Sequence, residues 1–301
     1  MNQPIKQHIV PRVYLKNFSI KKKNRFGIYV LEKKNHNIFE TNIEKIAVEK
    51  DFYTVNRLND KYFWETYYAK NIEPLMSNTF KEIINKTSPL LLQSDSTILT
   101  DELKNELSLI IVFQLLRGIH VRKFEKNIFK REAPKILNMK ETFPEDRIKT
   151  ILQDEDFFKF ISMTTCLDPK RISSYAQIIF MKKWVLFKIL KGNMHDAEFI
   201  TSDDPVLIID NQSLDATPLR NGLLDDSTTI FYPLSSNLLI GLYSPSYLFG
   251  KIKEFDKTIV YVDAGDKFIH MVNVKQLEHC YRHIYSNNKK VLEKDSIKYL
   301  V

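Results

Sequence analysis

The stretch Leu107–His120, LSLIIVFQLLRGIH, decides the fold of this chain because it predicts a helix that is apolar on nearly every side. A helix of that kind is buried inside a globular protein. Its apolar part, residues 107–116, contains Ser108 and Gln114 and falls short of the roughly 20 apolar residues that cross a bilayer. The sequence therefore predicts a core helix, and no membrane partner is expected.

Two polar side chains in this helix, Gln114 and Arg117, are three residues apart and so share one face. A buried guanidinium costs several kcal/mol unless it is paired. We therefore expect an acid from elsewhere in the chain to pair with Arg117. The alternative is that Arg117 lies at a thin polar edge and reaches water along its own stem.

The helix after Trp64 offers two acids for this pair, Glu65 and Glu73, which lie within a quarter turn of each other. Glu73 is favoured because apolar residues surround it. Either acid can instead be an ordinary surface residue.

Residues 199–209, FITSDDPVLII, place two adjacent acids where one predicted strand ends and another begins. Thr, Ser and Asp side chains bind nearby backbone at such turns. A carboxylate at a strand end can also serve as a catalytic group or metal ligand. The two interpretations are balanced, and Asp203 is predicted to be the inward-facing acid.

His8, in QHIVPRVYLKNF, precedes a short predicted helix. A histidine at this place either acts as a general base near neutral pH or, more often, fixes a loop. His279 and His283 have a spacing that suits a metal, but no glutamate completes a zincin pattern, and we assign them no site.

The pattern of elements predicts the α+β class. It comprises an N-terminal short helix (8–18) and β-hairpin (26–31 with 37–41), a helical turn over 43–48, a strand over 51–55, a central helical block, and a C-terminal antiparallel or mixed sheet with a helix (267–282). Helices are predicted over 62–85, 100–124, 126–138, 145–152, 154–163 and 168–191, the last ended by Gly192. No linker divides the chain, so we predict a single compact unit, 1–301, with a helical lobe (56–192) and a β-rich lobe (1–55 and 193–301).

Composition bounds the partners and the compartment. With 44% hydrophobic and 27% charged residues, the chain of 301 residues can bury a sizeable core. Residues 1–35 hold nine basic residues and one acid, so this N-terminal section is a candidate for nucleic acid; a solvated turn is the alternative. Two distant cysteines indicate reduced thiols and a cytoplasmic location.

The sequence contains an ordered set of short motifs: QHxxPxxYLxxF from Gln7 to Phe18, Asp51 with Tyr53, Gln114 with Arg117, FITSDDPV, YPLSSN from Tyr232 to Asn237, and RHIYS from Arg282 to Ser286. Together these motifs resemble the DUF4238 family, a domain of unknown function. The resemblance covers nearly the whole chain and implies no activity, substrate or cofactor. It marks His8, Glu73, Gln114, Arg117 and Asp203 as candidate site residues.

Two functional hypotheses follow. The first is a metal-assisted phosphodiester hydrolase of the nuclease type, in which Glu73 and Asp203 hold Mg²⁺ or Mn²⁺, His8 acts as base and Arg117 stabilises charge on phosphate. The second is a non-catalytic sensor or partner-binding module in which the same polar residues are a buried structural network.

Overall fold

The computed structural model describes residues 6–88, 98–138, 145–190, 197–210, 222–246, 252–263 and 267–293. Its class is α+β, as predicted. The strands are β1 Lys6–His8, β2 Ile20–Lys22, β3 Arg25–Glu32, β4 Ile38–Asn42, β5 Val48–Lys50, β6 Lys183–Leu190, β7 Thr201–Ser202, β8 Leu207–Asp210, β9 Thr228–Ser235, β10 Leu238–Tyr243, β11 Thr258–Asp263 and β12 His283–Ser286.

The helices follow the predicted order, with a π-helical turn at Tyr68–Ile72. They are α1 Arg12–Leu15, α2 Phe63–Tyr67, α3 Glu73–Lys86, α4 Asp101–Arg117, α5 Ile119–Asn138, α6 Glu145–Gln153, α7 Glu155–Cys166, α8 Pro169–Met181, α9 Lys267–His279 and α10 Lys289–Glu293. Within the described ranges, none of them is both long and apolar enough to cross a membrane.

One sheet combines strands from the N-terminal and the C-terminal parts of the described chain. Its order is β2-β3-β12-β7, with β4 paired to β3 in the predicted hairpin. Strand β12 lies between β3 and β7, so that Ile284 is opposite Leu31 on one side and Ser202 on the other. This pairing brings the turn after β7, which carries Asp203 and Asp204, next to the end of α9.

The second large sheet has the order β11-β6-β10-β9-β8, with β11 parallel to β6 and the other pairs antiparallel. The prediction of a helix over 168–191 is wrong in its second half, because α8 ends at Met181 and β6 follows. Trp184 packs in the main core, whereas Val185 and Ile189 pack in a second core. A strand buried on both faces lacks the polar alternation that would mark it as a strand. Gly192 lies outside the described residues.

Helix α4 is the core helix that its sequence predicts. Thr100 caps it by accepting a hydrogen bond from Leu103 N at 3.3 Å, and residues 110–117 are all buried. The predicted continuation to residue 124 is wrong because Gly118 (φ −58°, ψ 147°) interrupts the helix and α5 starts at Ile119.

The segment after β4 also differs from the prediction. Neither the helical turn over 43–48 nor the strand over 51–55 forms, and β5 lies between them, paired with β1. Ala47 and Asp51 both have positive φ values, near 50°, which interrupt any regular element at those two positions.

Candidate functional site

Asp203 is an anchor for the backbone. Its carboxylate accepts hydrogen bonds from the backbone N–H groups of Tyr281 and Arg282 at 2.8 Å each and of His283 at 3.2 Å. Burial raises the pKa of Asp203 to about 6, although these three bonds act to lower it. Asp203 is buried, as predicted, but both its oxygens bind the turn between α9 and β12 and are not free for the predicted cation.

Arg117 is fully buried, and its direct contacts are neutral, although the charges of the two predicted acids, Glu65 and Glu73, act on it. Its Nε donates to Tyr53 Oη at 2.8 Å and its Nη2 to the backbone oxygen of His8 at 2.6 Å. The guanidinium also lies over the Tyr68 ring, 4.4 Å from the centroid. Among the described residues no carboxylate lies within 4 Å of it. The hydroxyl of Tyr53, the backbone oxygen of His8 and the face of the Tyr68 ring thus make the direct contacts with the guanidinium that an acid was expected to make.

Three other predicted site residues lie around Arg117: Gln114 is three residues before it on α4, the charge of Arg117 acts on His8, and the charge of Glu73 acts on Arg117. The His8 ring is partly buried, with Nε2 3.4 Å from the backbone oxygen of Ile43. Burial lowers the pKa of His8 to about 4, so the ring is neutral near pH 7. Glu73 begins α3 and makes no ion pair with any described residue. Both amide ends of Gln114 are buried without a hydrogen-bond partner.

A different group of side chains converges: His120, Asp204 and His279, which we call the His–Asp–His cluster. Their ligand atoms lie within 4.8 Å of one another. His120 Nδ1 is 2.7 Å from Asp204 Oδ2, and His279 Nε2 is 3.7 Å from the same oxygen. Asp204 and His279 are buried, whereas about a quarter of the His120 side chain is exposed. The cluster is therefore open to solvent on its His120 side.

Three separate elements build the cluster. His120 lies in the first turn of α5, just after Gly118, where an added Cβ would lie 3.0 Å from Asp204 Oδ1. The interruption of the helix thus lets the backbone approach the carboxylate closely. Asp204 is fixed through its backbone. Its backbone N–H donates to Ser202 Oγ, and its backbone oxygen accepts from Gln276 Nε2, at 3.0 Å each.

The charge of the cluster is set by opposing effects. Burial acts to raise the pKa of Asp204, but hydrogen bonds and charge from His120 and His279 outweigh it, and the pKa lies below its usual value. Asp204 is therefore ionised at neutral pH. A carboxylate with two imidazoles supplies the donor atoms that bind Zn²⁺ and related transition metals.

A pocket of about 390 Å³ is lined in part by Tyr281, whose ring contacts His120. Its basic lining residues are Lys50, Arg122, Lys123, Lys126 and Lys159, and its acids are Glu49, Asp51 and Glu155. We call it the basic pocket.

Tyr281 connects the basic pocket to the cluster. Its ring lies edge-on to the His120 ring at 6.0 Å, and its hydroxyl accepts a hydrogen bond from Lys123 Nζ at 2.6 Å. The ring of Tyr281 therefore lies against His120 and also lines the basic pocket, although none of the three cluster side chains lines the pocket itself.

Comparison with known families supports the resemblance seen in the sequence. The profile of one family, described as a protein of unknown function (DUF4238), matches residues 6–290. The chain belongs to the DUF4238 family. Neither a curated protein nor a solved structure matches this DUF4238 chain.

Sequence reasoning on this DUF4238 chain missed the cluster, although signals for it were present. His120 stands at the end of the core helix stretch, three residues after Arg117, and the sequence groups His279 with His270 and His283, nine residues before it and four after it. Asp204 was weighed beside Asp203, and the structure gives the adjacent acids different partners. The sequence of two adjacent aspartates does not show which one binds the backbone and which one contacts the histidines.

Proposed function

We propose that this protein is a metal-assisted phosphodiester hydrolase whose metal ligands are His120, Asp204 and His279. The observation that carries the proposal is the convergence of His120, Asp204 and His279, next to Tyr281, which also lines the basic pocket. Three protein ligands leave a coordination position for substrate, which is the pattern of catalytic rather than structural metal sites. The earlier assignment of Glu73 and Asp203 as ligands is replaced.

The donor set favours Zn²⁺ or Mn²⁺. Mg²⁺ prefers oxygen ligands and keeps several waters, whereas imidazole suits the transition metals. Such a cation would polarise a phosphoryl oxygen and stabilise the charge that develops on it. Within the chain, Lys123 and Arg122 of the basic pocket attract the phosphate group towards this part of the surface.

The substrate class follows from the pocket rather than from the N-terminal section. Five basic and three acidic side chains line the opening, and this excess of positive charge suits a phosphate group. Binding of nucleic acid through residues 1–35 remains a separate proposal. Two free, buried thiols, Cys166 and Cys280, support the further proposal of a cytoplasmic location.

The test measures metal content and hydrolysis together. Purified protein loaded with Zn²⁺ or Mn²⁺ is assayed on bis(p-nitrophenyl) phosphate and on single-stranded DNA and RNA. We expect Asp204→Asn to lose bound metal and to reduce the rate by more than the roughly 10- to 100-fold that loss of an outer partner costs. His283→Gln, a neighbouring histidine outside the cluster, is the matched control and retains both metal and rate.

A second function, a non-catalytic module, is favoured by one observation. Asp203 and Arg117 both bind backbone groups, as expected of a structural network. Stoichiometric metal without hydrolysis of any of the three substrates would support this function and contradict the hydrolase. Hydrolysis that Asp204→Asn leaves unchanged would exclude the cluster as its site.

A further inference from the structure

The acids that line the basic pocket pair with only some of the cations around it. Glu155 forms ion pairs with Lys126 and Lys130, and Glu49 forms one with Arg282. Among the described residues, no carboxylate lies within 4 Å of the four remaining lining cations, which are Lys50, Arg122, Lys123 and Lys159. The pocket therefore holds positive charge that direct ion pairs do not take up.

Two of these cations, Arg122 near the start of α5 and Lys159 in α7, bind consecutive residues of one loop. Arg122 Nη1 donates to the backbone oxygen of Phe52 at 3.0 Å, and Lys159 Nζ donates to that of Asp51 at 2.8 Å. The charge of Arg122 also acts on Lys159. Two helices thus hold these cations close to each other in the wall of one pocket.

The acids near this pair do not outweigh the effects that disfavour its charge. Burial and the charge of Arg122 lower the pKa of Lys159, and the charges of Asp156, Asp51 and Glu155 act the other way without restoring it. Burial likewise lowers the pKa of Arg122. An anion that enters the pocket stabilises the charged form of both side chains.

Both side chains have donors for such an anion. A guanidinium has five N–H donors in one plane, and an ammonium has three donors. Within the described ranges, each of the two side chains uses one hydrogen bond, the one to the loop. Arg122 also lies over the Phe52 ring, 3.8 Å from its centroid, and a ring against the face of a guanidinium does not occupy donors that lie in its plane.

The charge and the donors together match a phosphate group. Two adjacent cations favour a doubly charged anion over chloride or a single carboxylate. The planar guanidinium matches the spacing of two phosphate oxygens, and the ammonium supplies a point charge beside it. A volume of about 390 Å³ is in the range of small-molecule pockets.

We propose that Arg122 and Lys159 form the anion-binding site of the basic pocket and hold a doubly charged phosphate group there. This site deepens the proposed function, on which it rests for one point, that the phosphate belongs to the substrate. The binding itself requires no metal, because both ligand residues belong to the pocket and neither belongs to the His–Asp–His cluster.

The test is a calorimetric titration of metal-free protein with inorganic phosphate at constant ionic strength. Wild type binds phosphate, sulfate competes with it as a second dianion, and acetate does not. Lys159→Met weakens binding by roughly 10-fold or more, because a charge-assisted hydrogen bond to the ligand is lost. Arg122→Lys keeps the charge but loses the planar donors, and it also weakens binding.

Lys50→Met is the matched control, because it removes one positive charge from the same pocket at an exposed position on β5. Salt screens the effect of an exposed charge, so this variant binds phosphate nearly as wild type does. Thermal melts check that every variant is folded. No phosphate binding by wild type, or an equal loss of affinity in Lys50→Met and Lys159→Met, overturns the proposal.

Asp204→Asn separates this site from the proposed metal centre, since it loses metal but binds phosphate with wild-type affinity. If wild type binds phosphate through Lys159 but hydrolyses no substrate, the anion site is supported and the proposed function is wrong. If wild type hydrolyses a substrate and Lys159→Met retains the wild-type KM, the assignment of this site to the substrate is overturned.

Discussion

Asp203 and Asp204 are adjacent acids that bind different groups. Asp203 accepts three backbone N–H groups, and Asp204 contacts two imidazoles. Successive residues at a strand end point in different directions, so neighbouring carboxylates reach separate partners. Asp203 thus stabilises the fold, whereas Asp204 belongs to the His–Asp–His cluster.

This division predicts opposite outcomes for two matched substitutions. Asp203→Asn lowers the free energy of unfolding by about 2–3 kcal/mol, because an amide cannot accept all three N–H groups. Asp204→Asn has a smaller effect on unfolding but abolishes metal uptake. Urea unfolding and metal analysis of both variants check this, and equal effects of the two variants in both assays would contradict it.

The pKa of His8 predicts a loss of stability in acid. Burial lowers the folded-state pKa from 6.5 to about 4, so between these values the unfolded chain takes up a proton that the folded chain does not. The contribution of His8 to stability is therefore present above pH 6.5 and is lost as the pH falls towards 4.

His8→Phe removes this dependence, and the difference between variant and wild type is the quantity to measure. Asp203, with its pKa raised to about 6, acts in the opposite sense, since its contribution is lost as the pH rises through 6. Because Asp203 is present in both chains, its effect cancels in the difference. Urea unfolding at pH 4.5 and pH 7.5 tests this, and a difference independent of pH contradicts the prediction.

At the scale of elements, the junction between α4 and α5 controls the candidate centre. Gly118→Ala places a Cβ about 3.0 Å from both Asp204 Oδ1 and the backbone oxygen of Leu115, so the carboxylate must move. We expect metal affinity to fall by roughly 10-fold or more, which is the effect of losing a residue that holds a metal ligand in position.

A second glycine provides the control for this variant. Gly241→Ala brings a Cβ to 2.8 Å from the Phe187 ring in the second sheet, far in sequence from the three ligands. It lowers stability through overpacking and leaves metal affinity unchanged. Competitive titration with a metal indicator measures both, and an equal loss of affinity in the two variants would argue against a local effect at Gly118.

The elements also show what the sequence could predict. The hairpin, the α4 cap and β10 follow from local patterns, because turn residues and capping residues leave a signal in a short window. Strand β6 and the helix end at Gly118 depend on contacts between distant parts of the chain. Side chains of β6 pack into two different cores, and the carboxylate of Asp204 lies against Gly118. The buried state of Arg117 was predicted, whereas its neutral partners come from Tyr53 and the His8 backbone, which no local pattern connects to it.

On the scale of the whole molecule, β12 connects the N-terminal hairpin to the turn that carries both acids. Ile284→Pro removes a backbone N–H from a strand that has neighbours on both sides, and we expect it to lower the free energy of unfolding by roughly 3 kcal/mol or more. Lys21→Pro, on the edge strand β2, is tolerated better because β2 has a neighbouring strand on one side only. Circular dichroism melts compare the two, and equal losses contradict the central role of β12.

The insertion of β12 between β3 and β7 has a consequence for the time course of folding. Closing that sheet requires strands from distant parts of the chain to meet, and contacts of large sequence separation form slowly. The helix pairs of the middle segment, such as α4 with α8, have shorter loops to close and can assemble sooner. Because Asp204 and His279 are brought together next to this sheet, we expect the three side chains of the His–Asp–His cluster to meet late in refolding.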